Sequence, residues 1–334
     1  MRVGYDVHTD LHPIRRIPHH GMTEVGIRAL FFPHSRGRVA IGPPALAGTG
    51  GNRQDSGIEK VVIGIDGKRA SQVAVDWVIE RAQRSPLQVT LLTAVDPLVS
   101  DSTDCLAMKA AYQRIRGASP GTVVDSVPGG QPMLEGLAER SKNADLLVVG
   151  SHPHRSVRAV LSGSLSAELV SRAGCALVVV PDDWTPGGTA ILVGVDDDDS
   201  SDEAVAFAAA QAKSDDKELV LVHSWRPPSV GLEGMAGFVV DPEYLEQDHR
   251  ARLAQVIVGL ERQELKVRGV TELGPIGVVL ESQLSDAALL VLGSHGHESI
   301  LGGLLGSTIQ HLLHYGSVPI AIVRNGSRWA SSGQ

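Results

Sequence analysis

The sequence is poor in cysteine and contains no long apolar run. It has two cysteines in 334 residues, with no CxxC pair and no clustered Cys/His spacing, which argues against a disulfide framework or a structural zinc site. Strongly apolar stretches such as 176–180 and 287–292 are strand-sized, whereas a bilayer span needs roughly 20 residues. No continuous apolar segment of signal-peptide type is present near the start. We therefore expect a cytoplasmic protein that is not integral to a membrane.

An excess of positive charge is also missing. The formal net charge is −8; the first 57 residues hold seven Arg against four acidic residues, so the remainder carries −11. Such an acidic body is a poor partner for nucleic acid or for an anionic membrane. With 43% hydrophobic and 20% charged residues, the composition is that of a globular protein, and the length suggests about two domains.

Residues 1–57 show no sustained period of 2 or 3.6 and contain several helix and strand breakers, which predicts a disordered leader. Five of the 13 histidines lie there, but their spacings match no helix face or zinc finger. An unstructured leader is therefore favoured over a metal-binding tract. Met22 offers an alternative start, which would leave residues 1–21 outside the native protein.

An internal repeat organises the rest of the chain. The matching segments are 60–66 with 190–196 and 89–97 with 219–227, both at an offset of 130, and 145–152 with 288–295 at an offset of 143. The second copy therefore contains a net insertion of 13 residues between Arg226 and about residue 266. We predict a first domain at 58–185, a second at 186–326 and a flexible tail at 327–334.

Short β-branched runs alternate in each copy with segments that carry apolar residues at spacings of three and four. Nearly continuous apolar strands are typical of a parallel sheet that is buried on both faces. The pattern predicts an α/β fold of two tandem, doubly wound, five-stranded parallel-sheet domains. The predicted strands are 60–65, 88–94, 122–127, 146–149, 176–180, 190–195, 218–224, 266–271, 288–292 and 319–323. The insertion is predicted to form a loop and then a longer helix over the site.

A glycine-rich segment follows the fourth strand of the second copy, and ligands of doubly wound sheets bind beyond the carboxyl ends of strands. Gly293, Gly296 and Gly306 precede Ser307 and Thr308 in the spacing G-x2-G-x9-G-[ST]. Glycines allow a backbone to approach phosphates closely, and the N-terminus of the next helix attracts an anion. Neither the G-x-G-x-x-G nor the P-loop motif is present. The segment is either a cradle for a di- or triphosphate or a structural turn.

This spacing follows Asp196 at the end of a first strand and a small residue late in the second strand. The combination resembles the universal stress protein family in its ATP-binding branch, over residues 58–326 in two copies. The resemblance implies a Rossmann-like domain, similar to adenine nucleotide alpha hydrolases, that binds ATP. It implies that Asp196 and Ser224 contact the adenine side. Gly293 and Gly296 would form the loop, and the phosphates would be held by Gly306, Ser307 and Thr308.

The first copy offers corresponding residues but departs from the family pattern. These residues are Asp66, Ala94, Gly150, Gly163 and Ser164. Pro153 replaces the second loop glycine, which removes an N–H and fixes φ near −65°. We therefore expect the better ATP site in the second copy. There, the acidic run 196–199 is either a Mg²⁺ partner of bound ATP or a solvated loop and helix cap.

The resemblance implies an ATP-binding regulatory or sensor protein of the stress response rather than a fast enzyme. No nucleophile with a base and an orienting carboxylate is recognisable. The alternatives are a nucleotide-independent stress scaffold that acts through protein contacts, and a slow ATPase. Final strands mediate domain pairing in the family, so the runs 177–180 and 320–323 are expected to join the two copies in an intramolecular pseudo-dimer. Homodimerisation in addition to this internal pairing is also left open.

Overall fold

A computed structural model describes residues 58–93, 103–127, 132–152, 165–226, 242–294 and 306–324. The predicted leader 1–57 and tail 327–334 lie outside these residues. The described strands are β1 (Glu59–Ile65), β2 (Leu87–Thr93), β3 (Val123–Val127), β4 (Leu146–Ser151), β5 (Ala176–Pro181), β6 (Ala190–Val195), β7 (Glu218–Trp225), β8 (Val267–Leu273), β9 (Ala287–Gly293) and β10 (Ile320–Val323).

Helices alternate with these strands. The described helices are α1 (Arg69–Ala82), α2 (Thr103–Ala118), α3 (Met133–Ser141), α4 (Leu165–Arg172), α5 (Asp202–Asp215), α6 (Pro242–Glu261), α7 (Ile276–Ser282) and α8 (Ser307–Tyr315). Within the described ranges, no helix combines the length and the apolar character that a membrane crossing requires.

The strands form one sheet in the order β3-β2-β1-β4-β5-β10-β9-β6-β7-β8. Neighbours within each half are parallel, and β5 pairs antiparallel with β10. The predicted α/β fold of two doubly wound units is confirmed, and each predicted strand is present with its ends shifted by no more than two residues. The two five-stranded units are not separate sheets, because the β5–β10 pair makes them continuous.

Inner strands are buried on both faces because helices cover both sides of the sheet. Every position of β5 and β10 is buried, whereas the outer strands β3 and β8 carry exposed positions. Successive side chains point to opposite faces, so that Val61 and Ile63 enter one core and Val62 enters the other. Side chains of α1, α2, α5 and α6 belong to the first core, and those of α3, α4, α7 and α8 to the second.

Both cores extend across the boundary between the two copies. The linker 182–189 is packed into this boundary, since Trp184 belongs to the first core. Gly188 has a φ of +77°, and a Cβ atom there would lie 2.4 Å from the backbone N of Ala288. Arg84, two residues after the end of α1, forms an ion pair of 3.4 Å with Asp215 at the end of α5. The two copies therefore share both apolar cores and are also joined by an ion pair.

We expect the two copies to unfold in one cooperative transition. Ile322 lies in β10 beside Leu177 of β5 and is 1% exposed, so Ile322→Ala removes apolar contacts from a shared core. The substitution should lower the free energy of unfolding by roughly 2–5 kcal/mol and shift the whole transition. Differential scanning calorimetry and far-ultraviolet circular dichroism measure this shift.

Val278→Ala is the matched control, because Val278 is 55% exposed on α7 and its truncation should change stability by no more than about 0.5 kcal/mol. Two resolved transitions, of which only the second copy's responded to Ile322→Ala, would contradict the shared core.

Candidate functional site

The two residues predicted to contact adenine in the second copy lie at the ends of neighbouring strands. The register of β6 and β7 places Val195 beside His223. Asp196 and Ser224 each follow by one residue, and both side chains are half-buried. The structure therefore brings these two polar side chains to the carboxyl edge of the second copy, the edge at which its parallel strands end.

The described part of the glycine segment reaches the same edge. Gly293 ends β9 and lies beside Val323 of β10. Because β9 and β10 are parallel, α8 runs back between their ends, and its first residues start at the carboxyl edge. Gly306 precedes α8, Ser307 is exposed and Thr308 is half-buried. Gly296 lies outside the described residues.

Hydrogen bonds in the acidic run hold the turn between β6 and α5. The backbone N–H of Asp197 donates to Asp196 Oδ1 at 2.8 Å, and the N–H of Ser200 donates to Asp198 Oδ1 at 2.9 Å. The N–H of Asp196 donates to the hydroxyl of Ser201 at 3.2 Å. These bonds show the carboxylates of Asp196 and Asp198 holding the loop before α5, whose N-cap is Ser201, and they favour the solvated-loop alternative.

The first copy repeats this turn with a different charge. The N–H of Asp66 donates to the hydroxyl of Ser71 at 3.4 Å, as Asp196 does to Ser201. The Lys68 ammonium lies 3.2 Å from the Asp66 carboxylate. Burial acts to raise the pKa of Asp66, but hydrogen bonds from Lys68 and Ser71 and the Lys68 charge outweigh it and hold the pKa below its ordinary value. Asp66 is therefore an ionised carboxylate with its own cation.

Packing explains the glycine at position 150. A Cβ atom on Gly150 would lie 2.1 Å from the carbonyl O of Ala70, in the first turn of α1. Gly150 therefore permits the close approach of β4 to α1, whatever its relation to a ligand. The other site residues predicted in the first copy, Ala94, Gly163 and Ser164, lie outside the described residues, as does Pro153.

A polar cluster at the second carboxyl edge was not among the predicted site residues. The insertion forms the predicted long helix, α6, which packs against β7 and β8. This helix brings His249 within hydrogen-bond distance of His223, a residue that is 4% exposed. The sequence contains a signal for this contact. His249 precedes Leu253, Val256 and Leu260 at helical spacing and therefore faces the sheet with them.

Comparison with known proteins gives consistent results for both copies. The model of the universal stress protein family matches residues 57–181 and 189–324. A universal stress protein of Mycobacterium tuberculosis is 29% identical over 290 residues, which cover 79% of this chain and 96% of that protein. The structure of one from Archaeoglobus fulgidus has a TM-score of 0.58 at 16% identity and covers 80% of this chain and 98% of its own, which shows a shared fold. A shorter solved universal stress protein, in complex with cAMP, is 22% identical and covers 41% of this chain and 98% of its own, with a TM-score of 0.32.

Gly150→Ala should destabilise the protein because its Cβ would overlap the Ala70 carbonyl. Overpacking of this kind costs about 1–3 kcal/mol or more, which urea unfolding measures. Gly117→Ala in α2 is the control, because a Cβ there would meet nothing within 4 Å. Alanine also favours a helix over glycine, so the control should be neutral or more stable by up to about 1 kcal/mol. Equal destabilisation of the two variants would contradict the steric explanation.

Proposed function

The chain belongs to the universal stress protein family, and from this membership we propose that it is an ATP-binding regulatory or sensor protein of the stress response. The proposal places its better nucleotide site at the carboxyl edge of the second copy. The observation that carries it is the meeting of Asp196, Gly293 and the N-terminus of α8 at this one edge.

The N-terminus of α8 fits the phosphate end of a nucleotide. The first turn of this helix contains no acidic residue. Gly306 has no side chain, and a Cβ atom there would meet nothing within 4 Å among the described residues. Helix N-termini attract anions through their N–H groups and their dipole. Ser307 and Thr308 add hydroxyl donors, so this end of the site would hold the phosphates of ATP.

The adenine end is assigned to Asp196 and Ser224. A half-buried carboxylate can accept a hydrogen bond from the amino group of the base, and the serine hydroxyl can donate or accept. Bound ATP would serve as a regulatory ligand. The residues of this site would bind and orient it.

Differences between the copies support a functional asymmetry. In the first copy, Asp66 forms an ion pair with the Lys68 ammonium. In the second copy, the position equivalent to Lys68 is Asp198. Gly150 is required by packing against α1, so its presence is no argument for a loop that binds phosphate. We assign Mg²⁺ as the partner of the ATP phosphates. It would compensate the charge of the acidic run 196–199, in which Asp196 and Asp198 also accept backbone N–H groups of the turn.

The proposal extends to assembly and cellular location. The two copies would act as an intramolecular pseudo-dimer joined through β5 and β10. Both of these strands have neighbours on each side, so a homodimer would have to use other surfaces of the molecule. Cys105 and Cys175 are both buried, which suits the reducing cytoplasm.

The test is extraction and chromatography of small molecules from the purified full-length protein, followed by calorimetric titration with ATP and Mg²⁺. Wild type should yield adenine nucleotide or bind ATP saturably. Asp196→Ala should weaken binding by about 10- to 100-fold, because it removes a hydrogen bond to a charged group. Asp66→Ala is the matched control in the first copy and should bind nearly as wild type does.

Gly296→Pro copies the proline of the first copy into the second glycine loop and should also weaken ATP binding. If wild type neither contained adenine nucleotide nor bound ATP, the nucleotide proposal would fail and the scaffold alternative would stand. Steady turnover of ATP that one side-chain change abolished would instead favour the slow ATPase.

A further inference from the structure

Three potential metal ligands from three separate elements meet at the second carboxyl edge. Asp197 follows β6, His223 lies in β7, and His249 lies in the inserted helix α6. His223 Nε2 is 2.9 Å from His249 Nδ1. Asp197 Oδ1 is 3.4 Å from His249 Nδ1 and 3.6 Å from His223 Nε2. The three side chains range from exposed at Asp197 to buried at His223.

The hydrogen bonds of His223 fix the tautomer that a metal ligand needs. His223 Nδ1 lies 3.0 Å from the carbonyl O of Val195, which can only accept, so Nδ1 carries the proton. In the neutral ring, His223 Nε2 therefore presents a lone pair toward Asp197 and His249. A ligating histidine ordinarily donates its other ring N–H to a carbonyl or a carboxylate in this way.

His249 is also held in place by its neighbours. Its ring stacks on Trp225 with centroids 5.3 Å apart and an interplanar angle of 19°. Leu253, one turn further along α6, is buried and anchors the helix to the sheet. The Nδ1 atom of His249 faces both His223 Nε2, at 2.9 Å, and Asp197 Oδ1, at 3.4 Å. The neutral imidazole is the form that coordinates a metal.

We propose that Asp197, His223 and His249 form a binding site for a divalent transition-metal ion of the zinc type. Zinc bonds to nitrogen and oxygen are about 2.0–2.2 Å long, so the ligand atoms of a tetrahedral site lie about 3.4 Å apart. The three observed separations bracket this value. Two imidazoles and one carboxylate leave a fourth position for water.

The site is peculiar to the second copy. At the repeat offset, Asp197 corresponds to Gly67 and His223 to Thr93. Glycine has no side-chain ligand, and the first copy therefore cannot build this triad from the equivalent positions. The alternative reading is a metal-free hydrogen bond in which His249 Nδ1–H donates to His223 Nε2. Metal binding requires the other neutral tautomer of His249, with its proton on Nε2.

The test uses full-length protein treated with a chelator, without nucleotide, and titrated with Co²⁺ or with Zn²⁺. Wild type should bind Co²⁺ with a visible d–d absorption typical of low coordination number, and Zn²⁺ should displace it. His249→Gln and Asp197→Asn should each weaken Zn²⁺ binding at this site by about tenfold or more and abolish the Co²⁺ band. Both residues are at least partly exposed, so these variants spare the buried His223.

His311→Gln is the matched control. His311 Nε2 lies 2.8 Å from a Glu281 carboxylate oxygen in the same copy. Among the described residues, this pair is not part of a three-ligand group. This variant should retain the Co²⁺ band, and thermal unfolding should show that all variants are folded. Equal metal binding by wild type and His249→Gln, or no d–d band in wild type, would overturn the proposal and leave a hydrogen-bonded histidine pair. Neither result depends on whether ATP binds.

Discussion

The antiparallel hydrogen bonds between β5 and β10 determine the arrangement of the two copies. Each strand is the last of its copy and is buried along its whole length. Left unpaired, such a strand would present apolar side chains and open backbone groups to solvent. Their pairing instead continues the sheet and both cores. Because the pair is antiparallel while each copy is internally parallel, the carboxyl ends of the two sets of strands lie at opposite edges of the sheet. The two candidate sites share no residue.

Strand positions were predictable because the chain alternates apolar runs with helical periods, as in 190–195 followed by the helix that buries Ala204 and Phe207. The antiparallel direction of the β5–β10 pair was not predictable from the sequence. A strand buried on both faces has the same apolar pattern whether its neighbour runs parallel or antiparallel. Ser71 and Ser201 show another limit. Each serine lies five residues after an aspartate that follows a strand. Only the structure shows that the serine hydroxyl accepts a hydrogen bond from the N–H of that aspartate.

For the candidate site, the positions of Asp196 and Gly293 at the ends of strands were predictable from the sequence. The site was not predictable where elements distant in sequence meet. His223 reads as a core histidine within an apolar strand, and its bond to Val195 agrees with that reading. Its second nitrogen meets His249, which lies 26 residues further along the chain. Helical spacing indicates that His249 faces the sheet, but the strand it meets depends on how α6 packs.

In the second copy, the turn between β6 and α5 therefore places neighbouring carboxylates in two different environments. Asp196 and Asp198 accept backbone N–H groups that lead into α5, while Asp197 between them turns toward the two histidines. In the first copy the same turn contains a glycine and a lysine, and the lysine neutralises Asp66. Both versions keep the contact between the aspartate N–H and the serine hydroxyl, although the residues between them differ in charge. Sequence change in these positions could thus alter the chemistry of one copy without disturbing the sheet that joins it to the other.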